Sequence, residues 1–330
     1  MSPAPARRRR ALLGLCGALA VVLLTGGAAA LQHPQASARP RVEAAPLPIA
    51  GPVVPDDVRP DLLPPPGGSV EVLRPGRDGV PHLFLHGAAL PPSADPGAPL
   101  VEDVVWVQNS RLRSYRIVVP RGLPRSAPLV VALPGYKQGL GLAQAQQRWA
   151  DQAARGRFVA VYAGGYAGSW DAGLCCGSAA QARTDDVGYL DALLVRVRAT
   201  HAIDPRRVFL AGFSNGGMMA YRYACERSDT VAAVFSVAGP IETRTCRPTA
   251  PVAVLHVHGR RDLTVPLGGV AYDHALGARL RSAADTVRFW QRADGDPRLA
   301  RLVVRSRLGH DWPRDGAGLA WAFFAAHPRP

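Results

Sequence analysis

Val208-Phe209-Leu210-Ala211-Gly212-Phe213-Ser214-Asn215-Gly216-Gly217 is the decisive stretch of this 330-residue chain. The apolar run Val208 to Ala211 reads as a buried strand, and Gly217 to Cys225 reads as a helix. Between them lies G-x-S-x-G. A strand before and a helix after turn that short pattern into a nucleophile elbow. A tight turn there folds the chain back on itself, so its neighbours must be small. Gly212 and Gly216 meet that need, and Gly217 lets the helix approach the sheet. Such a turn lifts the Ser214 hydroxyl above the sheet and aims a helix N-terminus at it, which favours developing negative charge.

The flanking sequence repeats the alternation of strand and helix. Val104 to Gln108 and Ser114 to Val119 read as two strands joined by a turn. Leu129 to Leu133, Phe158 to Tyr162, Ala232 to Val237, Val252 to Val257 and Leu302 to Ser306 read as further strands. Ala143 to Arg155, Asp186 to Thr200, Arg279 to Ala293 and Leu319 to Ala326 read as helices. Val187, Leu190, Leu194 and Val197 give the second of these an apolar stripe. This alternation predicts an α/β fold of the α/β-hydrolase type, with a mostly parallel sheet covered on both faces. The catalytic domain is expected over residues 101–330. No internal repeat is present.

A serine hydroxyl needs a base, and the base needs an acid to orient it. In this fold they follow in the order Ser, Asp or Glu, His. His310 is the best base, because it lies in Leu308-Gly309-His310-Asp311-Trp312-Pro313, after the last strand and before the last helix. His256 lies inside a strand, His258 precedes the acid, and His274 precedes the penultimate helix. Asp262 is the best acid, just past the strand Val252 to Val257; Asp273 and Asp285 fall in or near a helix. The oxyanion is expected to meet the amides of Asn215, directly after the nucleophile, and of Tyr136, in the loop Pro134-Gly135-Tyr136-Lys137-Gln138. Gln138 could support that loop.

At this point the chain resembles the family of secreted polyhydroxyalkanoate (polyhydroxybutyrate) depolymerases and feruloyl and acetylxylan esterases. The matching pieces are Gly212 to Met219, His256-Val257-His258-Gly259 with Asp262 and Val265-Pro266, and Gly309-His310 with Trp312-Pro313. Trp170-Asp171, Cys175-Cys176-Gly177, Asp185-Asp186-Val187-Gly188 and Ile203 to Val208 also match. The resemblance covers roughly residues 113–327. It implies Ser214, Asp262 and His310 as the triad, and carboxylic ester hydrolysis outside the cell. One departure stands out. The family carries His-Gly-Cys where this chain has Pro134-Gly135-Tyr136, which leaves a backbone oxyanion hole possible but alters the site's shape. Trp170 and Trp312 are candidates to line the substrate pocket, with burial in the core as the alternative for both. Asp185 and Asp186 read as caps of the helix they open.

The N-terminus has the layout of an export signal. Arg7 to Arg10 precede the apolar run Ala11 to Leu24, and small residues follow, with cleavage expected after Ala30 or after Ala38. Residues 1–38 are therefore read as an export signal, with a retained anchor facing outside as the alternative. Residues 39–100 are dense in Pro and Gly and read as an extension or linker, in which Val70 to Leu73 and His82 to His86 could form short strands. Net charge is +14, and the leader holds four of the arginines and no acid. Arginine supplies nearly all the basic residues, scattered rather than clustered, so nucleic-acid binding is not expected. Four cysteines remain beyond Cys16. Adjacent cysteines rarely bond one another, but Cys225 and Cys246 flank one expected helix–strand unit and could meet, so Cys225–Cys246 is the expected disulfide.

These features together point to a secreted serine carboxylic ester hydrolase, working as a monomer on an ester substrate with no cofactor and no metal. The other readings are an inactive α/β-hydrolase serving as a binding module at the cell surface, and a serine peptidase on the same scaffold. Polyester, plant cell-wall ester and small acyl ester all remain open as substrates.

Overall fold

The computed structural model describes residues 70–73, 82–85, 98–274 and 277–330. The expected export signal, and most of the extension that follows it, lie outside the described residues.

Long β-branched and aliphatic runs build the sheet. Its strands are β1 (Val70–Leu73), β2 (His82–Leu85), β3 (Leu100–Gln108), β4 (Arg111–Val119), β5 (Ala127–Leu133), β6 (Val159–Ala163), β7 (Ile203–Phe213), β8 (Ala233–Val237), β9 (Ala253–Gly259) and β12 (Ala300–Arg305). They lie in the order β1-β2-β3-β4-β6-β5-β7-β8-β9-β12. β1 to β4 form an antiparallel meander, and β4 pairs antiparallel with β6. From β6 to β12 every pair is parallel. The sheet thus starts upstream of the boundary expected at residue 100, because β2 pairs with β3. A separate hairpin joins β10 (Val270–Asp273) to β11 (Ala278–Leu280).

The helices are α1 (Leu140–Gln147), α2 (Trp149–Gly156), α3 (Gly177–Gln181), α4 (Asp186–Thr200), α5 (Asn215–Glu226), α6 (Ala283–Ala293) and α7 (Gly316–Ala325). All seven residues of β5 and of β9 are buried, as a sheet covered on both faces requires. Alternate side chains feed two cores. Leu129, Val131 and Leu133 join one with α4, α5 and α6, whereas Val130 and Ala132 join the other with α2 and α7.

Two expected helices are shorter. The one expected over 143–155 is split at Arg148, whose left-handed backbone (φ 55°) ends α1 and starts α2. The one expected from Arg279 starts at Ala283, because Ser282 caps it by accepting from the Asp285 amide at 2.9 Å. Residues upstream pair in β11 instead. Asp185 caps α4 as expected, accepting from the Gly188 amide at 2.8 Å. Its neighbour does something else. Asp186 is fully buried, pairs with the equally buried Arg113, and accepts from the Asp171 amide at 2.6 Å and the Thr184 hydroxyl at 3.0 Å.

The Cys225–Cys246 disulfide is present and ties the end of α5 to the segment after β8, across 21 residues. Replacing both cysteines by serine is expected to lower unfolding stability by about 3 kcal/mol, since the freed chain regains loop entropy when unfolded. An unchanged denaturation midpoint in urea would contradict this. The expectation that adjacent cysteines stay apart is corrected: Cys175 and Cys176 are also bonded, with their Cα atoms 3.1 Å apart across a cis peptide. Among the described residues no helix is long and apolar enough to cross a membrane.

Candidate active site

The site sits where the parallel strands end. Ser214 follows β7 directly and precedes α5, with a left-handed φ of 52°. A non-glycine residue holds such a backbone only where its surroundings enforce it. The enforcement comes from close packing. A Cβ on Gly212 would collide with the backbone of Gly216, and one on Gly216 with the carbonyl oxygens of Leu133 and Pro134. These two glycines let the elbow press against the end of β5.

Asp262 lies in the loop after β9 and His310 in the loop after β12. Backbone bonds tie the two loops together: the Arg260 amide donates to Arg305 O at 3.0 Å, and the Arg261 amide to Leu308 O at 3.0 Å. His310 Nε2 is 2.9 Å from Ser214 Oγ, and His310 Nδ1 is 2.8 Å from Asp262 Oδ2. The Asp262 side chain is fully buried, while that of His310 is 19% exposed. Asp262 Oδ1 accepts the amides of Thr264 at 3.0 Å and Val265 at 2.8 Å, so the carboxylate has one possible orientation. With its Nδ1 proton on Asp262, His310 turns a lone pair towards the serine hydroxyl. That is the arrangement for general-base activation of a hydroxyl.

The structure thus brings together all three residues singled out in the sequence. The two expected oxyanion donors are the amides of Tyr136 and Asn215. Neither the Tyr136 amide nor the Asn215 amide meets an acceptor among the described residues, although the amides around Tyr136 do: Gly135 donates to Gln138 Oε1 at 2.8 Å and Lys137 to Gly168 O at 2.7 Å. Gln138 supports the turn as expected. Its Nε2 donates to Gln146, and Gln146 donates to Asp311 beside the base, so the oxyanion turn is strapped to the His310 loop.

Chain topology matches one fold, and solved structures agree with it. An acetyl xylan esterase from Aspergillus awamori superposes with a TM-score of 0.50 at 14% identity, over 64% of this chain and 94% of that one. The chain has the α/β-hydrolase fold. Part of this chain, residues 180–284, matches the phospholipase/carboxylesterase family. That span holds Ser214 and Asp262. A Nocardia uniformis subsp. tsuyamanensis protein named "Putative esterase NocK" is 33% identical over 220 residues, covering 60% of this chain and 62% of the relative. The bifunctional acetylxylan esterase/xylanase XynS20E of Neocallimastix patriciarum is 29% identical over 152 residues, 46% of this chain and 21% of the relative. Feruloyl esterase C of Emericella nidulans is 28% identical over 164 residues, 48% of this chain and 57% of the relative. The resemblance to feruloyl and acetylxylan esterases read from the motifs is therefore real. The chain spans less than two thirds of the length of each of these relatives.

Trp170 and Trp312 require correction as pocket residues. They are 1% and 4% exposed, so neither is open to a ligand. Trp170 is a brace: its indole N–H donates to Pro134 O at 2.9 Å, and its amide donates to the Asn215 side chain at 2.7 Å. Trp312 packs edge-on against Trp149 and Phe235. Sequence reasoning missed the Asn215 carboxamide, which clamps the elbow to the Trp170 loop. The exposed aromatic at the oxyanion turn is Tyr136 itself, 40% accessible, with the Lys137 ammonium 5.2 Å from its ring.

Sequence reasoning also passed over Glu242. It is fully buried; Oε1 accepts the Arg281 amide at 2.6 Å, and Oε2 has no partner. Burial pushes its carboxyl up from 4.5 to about 7. A raised carboxyl favours folding while protonated. Its contribution is whole below about 4.5 and is lost as pH rises through about 7. Glu242→Gln, which stays neutral, is expected to raise Tm relative to the parent by an amount that grows across this window. A constant or shrinking difference would contradict the buried-carboxyl account.

Proposed function

We propose that this α/β-hydrolase is an exported serine carboxylic ester hydrolase acting through an acyl-enzyme on Ser214. The observation that carries this reading is the continuous contact Ser214–His310–Asp262. Ser214 Oγ attacks the ester carbonyl carbon while His310 Nε2 takes its proton. The carbonyl oxygen becomes an oxyanion, stabilised by the N–H groups of Tyr136 and Asn215. Collapse breaks the bond to the alcohol, and His310 protonates the leaving oxygen. Water, deprotonated by His310, then attacks the acyl carbon and frees the acid. Asp262 holds the imidazole in one tautomer and stabilises its charged form.

The intact triad argues against an inactive binding module. The relatives' names support acetylated xylan and feruloyl esters as the first substrates to test, and the arginine-led, apolar N-terminal stretch supports export. The purified chain without residues 1–38 should be given p-nitrophenyl acetate, methyl ferulate, acetylated xylan and a peptide p-nitroanilide in parallel. Turnover of one or more esters without turnover of the anilide is expected. Faster cleavage of the anilide would replace the esterase reading with a peptidase.

A further inference from the structure

Behind the triad acid lies a second set of polar groups that the reaction above does not use. His256 and His258 are alternate residues of β9, so both point to the same face of the sheet, and both are fully buried. Their rings stack 5.3 Å apart. His256 Nδ1 is 3.0 Å from the Tyr221 hydroxyl of α5, and His256 Nε2 is 3.0 Å from His258 Nδ1. His258 Nε2 is 2.8 Å from Val265 O and 3.5 Å from Asp262 Oδ2, the oxygen that His310 also reaches.

We propose that Tyr221, His256 and His258 form a one-way chain of hydrogen-bond donors that positions Asp262 for His310. This rests on the reading of Ser214, His310 and Asp262 as the triad. A single carbonyl sets every proton in the chain. Val265 O can only accept, so His258 carries its proton on Nε2. Burial pushes both imidazoles below their ordinary range, so each holds one proton. His258 Nδ1 is then an acceptor and receives the proton of His256 Nε2. His256 Nδ1 is an acceptor in turn and receives the Tyr221 O–H.

The end of the chain fixes the acid loop from both sides. Val265 donates its amide to Asp262 Oδ1 and accepts His258 Nε2–H at its carbonyl. The turn that aims the carboxylate is therefore closed by His258, and the same N–H faces the oxygen that holds His310. Mere packing would be served better by apolar side chains. A buried polar group left unmatched is destabilising, so an interior chain of three must be satisfied at every link. Positioning of the acid accounts for why polar groups stand there.

His258→Gln, His258→Phe and Tyr221→Phe test this with p-nitrophenyl acetate as substrate and Ser214→Ala as control. The glutamine amide can present N–H where Nε2–H stood; phenylalanine cannot. His258→Phe is expected to lower kcat/KM about 10–100-fold, by analogy with the loss when the partner that orients a metal-ligating histidine is removed. It should also shift or abolish the far-downfield proton resonance of the His310–Asp262 hydrogen bond. His258→Gln should recover most of the rate and the resonance. Tyr221→Phe, which removes one oxygen atom, should fold and lose several-fold in kcat/KM. Wild-type rate and resonance in a folded His258→Phe, or equal damage from Gln and Phe, would overturn the proposal. Should His258→Phe fail to fold, a wild-type rate in Tyr221→Phe would overturn it instead. Retained activity in Ser214→Ala would refute the triad reading itself and is read separately.

Discussion

Ser214→Ala is expected to reduce kcat for ester hydrolysis by about 10⁶-fold, the loss typical of deleting the nucleophile of a serine triad. The size follows from the geometry. Ser214 Oγ is the atom 2.9 Å from His310 Nε2, at the end of the chain that begins in Asp262. No other hydroxyl bonds that nitrogen among the described residues. Alanine also fits the turn, since the elbow already tolerates a Cβ at φ 52°. Fold and thermal unfolding should therefore be unchanged while burst and steady-state release of p-nitrophenol disappear. A loss of less than about tenfold would mean that Ser214 does not form the acyl-enzyme.

The second large effect is expected at the acid. Asp262→Asn should lower kcat by about 10⁴-fold with little change in stability. The reason lies in its four contacts. Two backbone amides, of Thr264 and Val265, point at Oδ1, so an asparagine must keep its carbonyl oxygen there. Its NH₂ group then faces His310 Nδ1. That nitrogen must become the acceptor, the ring proton moves to Nε2, and no lone pair remains for the serine hydroxyl. Steady-state kinetics with p-nitrophenyl acetate check this. A variant within about tenfold of the parent would show that Asp262 does not set the tautomer.

How far the sequence reaches can be judged from these same residues. The elbow was legible because it is local: strand, glycines, serine and helix are neighbours in the chain. Asp262 and His310 were legible from chain order and from their places just after strands, since parallel strands all end on one side. Contacts made between distant segments were not. Trp170 and Trp312 read as pocket residues because aromatic side chains suit both pocket and core, and only packing against Pro134, Asn215 and Trp149 decides. Glu242 gave no signal, because the hydrogen-bond partner of its carboxyl is the Arg281 amide, distant in the chain and just past β11. The Cys225–Cys246 pair could be inferred because the two cysteines flank one helix–strand unit, whereas the Cys175–Cys176 bond depends on a peptide geometry that residue spacing does not reveal. His256 and His258 carried a visible signal, two histidines at strand spacing. It was passed over because each was weighed alone as a base.

Covalent labelling tests the central claim most directly. A fluorophosphonate mimics the ester carbonyl under attack and phosphonylates only a hydroxyl activated beside its own oxyanion donors. The chain without residues 1–38 should gain one adduct by intact mass, and peptide mapping should place it on Ser214. Ester hydrolysis should fall in step with adduct formation, and Ser214→Ala should take up none. An adduct on another residue, or full ester turnover by a chain in which Ser214 is fully labelled, would contradict the account.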